Sequence, residues 1–426
     1  MRRCLGIIPL LGRSTAFVLV AFLAVWSAGP AGAEPAPRGS GGYVLGMSAD
    51  FSGQSRGLGV ELYRGAVAYF TQLNRSGGIN GKPVVLVALD DGYQPEPAIR
   101  NTIDLIRRGD ILCLFGYVGT PTVTRILPLL GGGAGAVKPL FFPFTGAQPQ
   151  REPPHHRHVF NLRASYRQEV AGLVNRFVSL GRKRIAVLYQ ADAYGRSGWD
   201  GVRRALAVHG LTLAGEATYR RGTGFDASMA EQVRILGRSR PDAIIVVGTY
   251  APGAAFIRDA RDAGLDVPIA NLSFVGSENM LELLVSLSRE RGLDYTRHLV
   301  NSQVVPSYED MSLPAVCEYR QLMDAVDPAP PEGSDPHFRT FRYSFAGFEG
   351  YLNAVVMTRV LRNLEENPAL GLVGAAESVR DMDLGIDVPV SFGPERHQGL
   401  DRVYFTTVEG DAFVPVSEAH WEAWRP

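Results

Sequence analysis

Short apolar runs alternate with stretches of helical periodicity along nearly the whole chain, and this alternation restricts the fold more than any single motif. Residues 43–47 read as a strand. Tyr63, Ala66, Val67, Phe70 and Leu73 then recur on one helix face. Gly77-Gly78 stops that helix, and residues 84–89 form a second strand ending in Asp90-Asp91. Pro95 opens a helix predicted to reach Arg107, and residues 111–115 and 140–144 are the next strands. Runs that are apolar throughout belong to strands covered on both faces. Strand, helix, strand at this spacing predicts βαβ units and a parallel, doubly wound sheet.

The series then restarts. Val170, Leu173, Val174 and Phe177 form a helix face, residues 185–189 a strand and residues 195–209 a helix. Residues 243–247 are a buried strand, and residues 256–263 lie on the helix after it. Two series predict two lobes of one architecture. The stretch 146–157, rich in Pro, Gln, Arg and His, reads as the crossing between them, and residues 328–334 as a solvated loop. Ligands of open parallel sheets bind beyond the carboxyl ends of the strands. The loops of interest are therefore 48–59, 116–121, 144–148, 190–195, 249–252 and 274–277.

The first 33 residues carry the three-part pattern of a secretory signal peptide. Arg2, Arg3 and Arg13 precede the apolar run 16–26, and Ala31-Gly32-Ala33 stands before Glu34, with cleavage expected after Ala33. The run is shorter than the about 20 apolar residues of a membrane-spanning helix. No cysteine follows it to carry a lipid, and Cys4 leaves with the leader. The expected compartment is a bacterial periplasm. The chain has 43 basic and 43 acidic residues, so losing three arginines leaves 40 against 43 in a mature chain of 393 residues. That balance gives no case for nucleic acid or an anionic membrane as partner. The length suffices for two domains with their own cores. Cys113, inside an apolar run, reads as a small hydrophobe. Its pairing with Cys317 in an oxidising compartment stays open.

Several motifs invite chemistry. Gly53-Gln54-Ser55-Arg56-Gly57 matches a nucleophile elbow, but too many residues separate it from the strand before it. A cleft-lining loop is the preferred reading, with a Ser55 hydrolase as the alternative. Residues 76–82 resemble a phosphate loop, but Pro83 stands where a hydroxyl should hold the metal. A helix end and turn explains them. His155, His156 and His158 lack well-placed further ligands for zinc. Asp90 and Asp91 occupy adjacent strand positions, which point apart, so they read as turn caps. No metal or other cofactor is expected.

The strongest local signal is the run from Gly116 to Thr122. It follows a buried strand and opens a helix, with Thr120 suited to the N-cap and Pro121 to the first helical position. Unpaired N–H groups there suit an anion. Thr145 and the backbone of Ala147, after the next strand, add a hydroxyl and an open main chain. Plain capping is the competing explanation. Tyr117, Phe142, Phe144, Tyr194, Tyr250 and Phe274 crowd the same loops, as the apolar walls of a small-molecule pocket would.

These pieces, in order, resemble the type I periplasmic binding proteins of the leucine/isoleucine/valine-binding class. The matching segments are residues 47–53, the N-R-S-G-G-I-N-G-K of residues 74–82, Asp90-Asp91, residues 116–121, Asp192-Ala193-Tyr194-Gly195, residues 241–243 and 260–265, and Glu349-Gly350-Tyr351. The resemblance covers nearly the whole mature chain. It implies two doubly wound parallel-sheet lobes joined by a three-strand hinge, closing on a ligand without catalysis. The lobes are expected at 41–160 plus 306–382 and at 161–305 plus 383–426. The resemblance also implies a membrane ABC permease as partner, or another membrane protein if the receptor senses rather than imports. It implies ligand-carboxylate binding at Thr120 and Ala147 and a contact from Tyr194 in the other lobe.

Three departures from the family pattern stand out. Pro252 occupies the place of the acid that pairs a ligand ammonium, Leu58 that of an aromatic, and Gln148 that of a second hydroxyl. The expectation is a small carboxylate, amide or amino-acid-like ligand, with an ammonium-free one favoured unless Glu278 or Asp192 supplies the charge. A larger apolar or lipid ligand is an alternative. The residues expected to bind are Tyr117, Thr120, Thr145, Ala147, Tyr194, Tyr250 and Phe274.

Overall fold

The computed structural model describes residues 41–132 and 137–426. The leader, Cys4 and the cleavage site lie outside them. Strands β1 (Tyr43–Ala49), β2 (Val84–Asp90), β3 (Ile111–Phe115), β4 (Leu140–Phe141) and β5 (Val159–Phe160) form one sheet. Its order is β2-β1-β3-β4-β5, parallel throughout. The second sheet holds β6 (Ile185–Gln190), β7 (Gly215–Tyr219), β8 (Ala243–Val247), β9 (Ile269–Asn271), β10 (Leu299–Gln303), β11 (Tyr404–Glu409) and β12 (Ala412–Pro415). Its order is β12-β11-β10-β9-β8-β6-β7. All its pairs are parallel except the antiparallel β10–β11 and β11–β12. The doubly wound α/β architecture expected from the alternation is present. Ile111–Phe115 and Ala243–Val247 are apolar throughout because helices cover both faces of a parallel sheet.

The chain passes between the sheets after β5, after β10 and before β11. Two of these passages run side by side, with Asn161 bridged to Gln398, and the His397 ring stacks on Phe160 at 3.9 Å. The helix Phe345–Glu366 returns to the first sheet and packs on the helix Arg56–Arg75. Glycines set how closely: a Cβ at Gly65 would collide with the carbonyl oxygen of Gly347, and one at Gly350 with that of Leu62. Below this contact, buried Arg64 binds Glu61 at 3.0 Å, the Pro328 carbonyl at 2.8 Å and the Phe341 carbonyl at 2.6 Å.

Three local expectations are corrected. The fourth strand stops at Phe141, because Phe142 turns to φ 52° and Pro143 has no N–H to donate. The stretch 146–157 is not the crossing: β5 pairs with β4, so it loops within the first sheet and the chain leaves after Phe160. Thr120 is not an N-cap. Gly119, at φ 105°, holds that place, and Thr120 begins the helix Thr120–Ile126. Among the described residues, no helix is long and apolar enough to cross a membrane.

Candidate ligand-binding site

The loops at the carboxyl ends of β1 to β4 face those of β6 to β9, and the two sets touch. Gln190 donates to the Tyr93 hydroxyl at 3.3 Å across the two sets, held from its own sheet by the Tyr219 hydroxyl, which donates to it at 3.1 Å. Arg221 binds Gln94 at 3.1 Å, and the Phe345 N–H donates to Glu278 at 2.8 Å. The lobes are closed on one another.

At the centre, the Thr120 and Thr145 hydroxyls are 2.7 Å apart, with the Tyr166 hydroxyl 3.5 Å from Thr120. Because Gly119 takes the cap position, neither threonine caps the helix, and both side chains are free to meet. Thr122 is the residue that binds back to the main chain, at Val118 and Gly119. The geometry thus excludes N-capping by Thr120 and leaves the two hydroxyls buried and bonded to one another. The helix runs only 7 residues, so the hydroxyl pair, not a helix dipole, is the polar feature here. Ala147 is buried beside them, its N–H 3.3 Å from the Thr145 hydroxyl. Arg151 fixes this loop from behind by binding the carbonyls of Thr145 and Ala147 at 3.3 and 3.0 Å.

Aromatic rings enclose the hydroxyls. Tyr194 lies 5.2 Å from Tyr166 and 4.8 Å from Phe274, and Phe144 lies 5.6 Å from Phe274. Asp192 places Tyr194 by capping the helix Ala193–Val208 through the N–H groups of Tyr194 and Gly195. Burial pushes the Tyr194 hydroxyl well above its usual range, so it is a neutral donor and acceptor. Tyr93 completes the wall, its ring resting where a side chain at Gly119 would sit.

Thr120, Thr145, Ala147, Tyr194 and Phe274 therefore come together. Tyr250 stands to one side, against Gly276 at the edge of the lobe contact. Tyr117 does not join them: it is buried behind the first sheet among Leu105, Leu114 and Val123, with its hydroxyl 3.1 Å from Thr102. Sequence reasoning missed Tyr93, Tyr166, Gln190 and Arg163. Arg163 follows the first passage between the lobes and is 1 % exposed. It binds the Ser273 hydroxyl, approaches Glu349 at 3.6 Å and lies 4.3 Å from the Phe144 ring centre. An arginine three residues past the buried apolar pair Val159–Phe160 was the available signal.

The other motifs resolve as supports. Asp90 accepts from the Phe51 N–H at 2.8 Å and Asp91 from the Tyr93 N–H at 2.9 Å. Ser55 is 1 % exposed at the N-cap of the helix Arg56–Arg75, its N–H bound to Asp50. Among the described residues, no group of His, Cys, Asp and Glu forms a metal site. A cavity of about 10 Å³ adjoins the cleft near the passages between the lobes, with Phe144, Ser273, Glu278 and Glu349 in its wall.

A family model described as periplasmic binding protein matches residues 43–412. The chain belongs to the periplasmic binding protein family. This periplasmic binding protein is 29% identical to a solved protein from Rhodopirellula baltica described as "a possible leucine/isoleucine/valine-binding protein". The TM-score is 0.78, covering 91% of this chain and 99% of that one. A substrate-binding periplasmic protein from Ralstonia solanacearum is 30% identical, with a TM-score of 0.74 over 86% of this chain and 97% of the other. A curated relative, Leu/Ile/Val-binding protein homolog 3 of Brucella melitensis, is 24% identical over 224 residues. That match spans 52% of this periplasmic binding protein and 58% of the relative's length.

Proposed function

We propose that the protein is a periplasmic solute receptor. Its lobes, 41–160 plus 306–382 and 161–305 plus 383–426, close on a small carboxylate, amide or amino-acid-like ligand and present it to a membrane ABC importer. The observation that carries this reading is the uncapped Thr120–Thr145 hydroxyl pair, enclosed by rings from both lobes. Two hydroxyls with no capping duty suit an oxygen of the ligand. The rings exclude water, which strengthens each polar contact. Ser55, buried at the start of a helix, favours a binding role over hydrolysis. The tight closure favours a small ligand over a lipid.

The test is a thermal-shift screen of residues 34–426 against branched-chain amino acids, short amides, aromatic and aliphatic carboxylates, and apolar lipids. A ligand at about 100 times its Kd adds about 2.7 kcal/mol, enough to raise the midpoint visibly. A shift that Thr120→Ala abolishes supports the reading. A shift with lipids alone, or one untouched by Thr120→Ala, would refute it.

A further inference from the structure

The even charge balance of the whole chain hides one local excess. In a doubly wound sheet the strands begin at one end, and the ligand cleft lies beyond the other. Where the second sheet begins, the loops before β6 and β8 carry Arg182, Lys183, Arg184, Arg238 and Arg240. The two loops are tied together. Asp242 accepts from the N–H groups of Lys183 and Arg184 at 2.9 and 3.0 Å, and Arg184 Nε donates to the Arg240 carbonyl at 2.9 Å. Asp242 is the one carboxylate of these loops, and the main chain occupies it. Glu231, on the helix that ends at Arg238, is matched by Arg234. Lys183, Arg238 and Arg240 are exposed, and their side chains make no hydrogen bond or ion pair among the described residues. Arg240 holds φ 48°, a left-handed position that an arginine occupies at a cost. The positive field reaches the start of β10. Burial, with Arg261, Arg297 and Arg182 nearby, lowers His298 from its ordinary value, and Asp266 does not offset them. At the same end the helix Ala193–Val208 finishes on Val208, 82 % exposed. The loop after it joins β6, with the Ala214 N–H donating to the Ile185 carbonyl at 2.9 Å.

We propose that this end of the second lobe is an interaction surface for an anionic phospholipid leaflet. Lys183, Arg238 and Arg240 meet the headgroup phosphates, and Val208 rests at the headgroup boundary. Each Lys or Arg brought close to an anionic leaflet strengthens binding by about fivefold. The bonds between the two loops fix the cations before contact, so little order is lost on docking. An exposed aliphatic side chain among cations suits the boundary between headgroups and acyl chains better than it suits a purely polar partner. The cleft opens beyond the opposite end of the strands, so a receptor docked in this way keeps its cleft clear of the membrane.

The experiment is co-sedimentation of residues 34–426 with vesicles of phosphatidylcholine, alone and with phosphatidylglycerol added. Binding should be at least 10-fold tighter with phosphatidylglycerol. It should vanish between about 0.1 M and about 1 M salt, where the Debye length falls from about 10 Å to about 3 Å. Lys183→Glu, Arg238→Glu and Arg240→Glu together should weaken it at least 10-fold. Arg75→Glu, Arg100→Glu and Arg107→Glu alter exposed positions of the first lobe and change the net charge equally, so together they should weaken it less than 3-fold. Equal binding to the two kinds of vesicle, or equal loss in the two triple variants, overturns the proposal. Binding to heparin with none to vesicles overturns it too, and would make this end a site for a polyanion. Should the first triple variant fail to fold, Lys183→Glu alone, expected to weaken binding at least 3-fold, decides against the same control. The cleft takes no part, so the receptor reading stands or falls separately.

Discussion

The Arg163 guanidinium lies 4.3 Å from the ring centre of Phe144, joining the first passage between the lobes to the loop that carries Thr145. It also stands near two buried carboxylates, Glu349 and Glu169; the latter accepts from Ser273 and Ser302. Arg163→Ala leaves those charges buried and unpaired, an error that costs about 3–5 kcal/mol. Arg163→Lys should recover part of the loss, since it keeps the charge but not the flat stack. Urea unfolding of both variants checks this, and a loss under about 1 kcal/mol for Arg163→Ala would refute it.

The glycine contact between the helices Arg56–Arg75 and Phe345–Glu366 makes a second prediction. Gly65→Ala drives a methyl into the backbone of Gly347, where no rotamer can yield. The expected cost is about 3 kcal/mol, at the upper end for overpacking. Gly109 has nothing within 4 Å of the same methyl, so Gly109→Ala should stay within about 0.5 kcal/mol. Thermal unfolding of the pair separates steric collision from a general intolerance of alanine.

Stability should fall as pH rises. Burial raises Asp50 to about 6 and Asp91 to about 8, so the folded chain holds protons that the unfolded chain releases near pH 4. A raised carboxyl contributes stability that is complete below its unfolded value and lost as pH climbs through its folded value. The midpoint should therefore be several degrees higher at pH 5 than at pH 8.5. Asp91→Asn should flatten the slope without abolishing it, because Glu278 and Glu349 titrate in the same window. Equal midpoints at the two pH values would refute this.

Both remaining cysteines are free, which answers the pairing left open by the sequence. Cys113 is fully buried in β3, where desolvation holds its thiol far above the usual range. Cys317 is half-buried on the helix Pro314–Val326 and reaches the Met311 carbonyl at 3.2 Å. An alkylating reagent should label Cys317 in the native protein and Cys113 only after unfolding, as read by peptide mass spectrometry. Prompt native labelling of Cys113 would contradict the burial.

The parallel sheets were legible because their strands are buried on both faces: Ile111–Phe115 and Ala243–Val247 fall where apolar continuity placed them. β10, with Asn301, Ser302 and Gln303, was not. Those polar side chains are satisfied by partners distant in sequence, such as Glu169 and Ser277, and local pattern cannot announce that. The site was legible in the same measure. Thr120, Thr145 and Tyr194 follow strands, where ligands of such sheets are expected. Tyr117 occupies the same loop as Thr120 but points into the core, because the two faces of a strand end differ by a single residue. Arg163 and Tyr166 follow directly on the passage between lobes, Tyr166 opening the helix Tyr166–Ser179, and composition misplaced that passage to residues 146–157.

The weave of the chain has a consequence for the order of assembly. Ser344 meets Glu61 across 283 residues, and Thr407 reaches back 108 residues to Leu299. Neither lobe can be finished from a continuous length of chain, and contacts this distant are slow to form. A chain threaded outward end first would therefore stay pliant for most of its passage. It would knot both halves tight only when the late helix and the final hairpin arrive together.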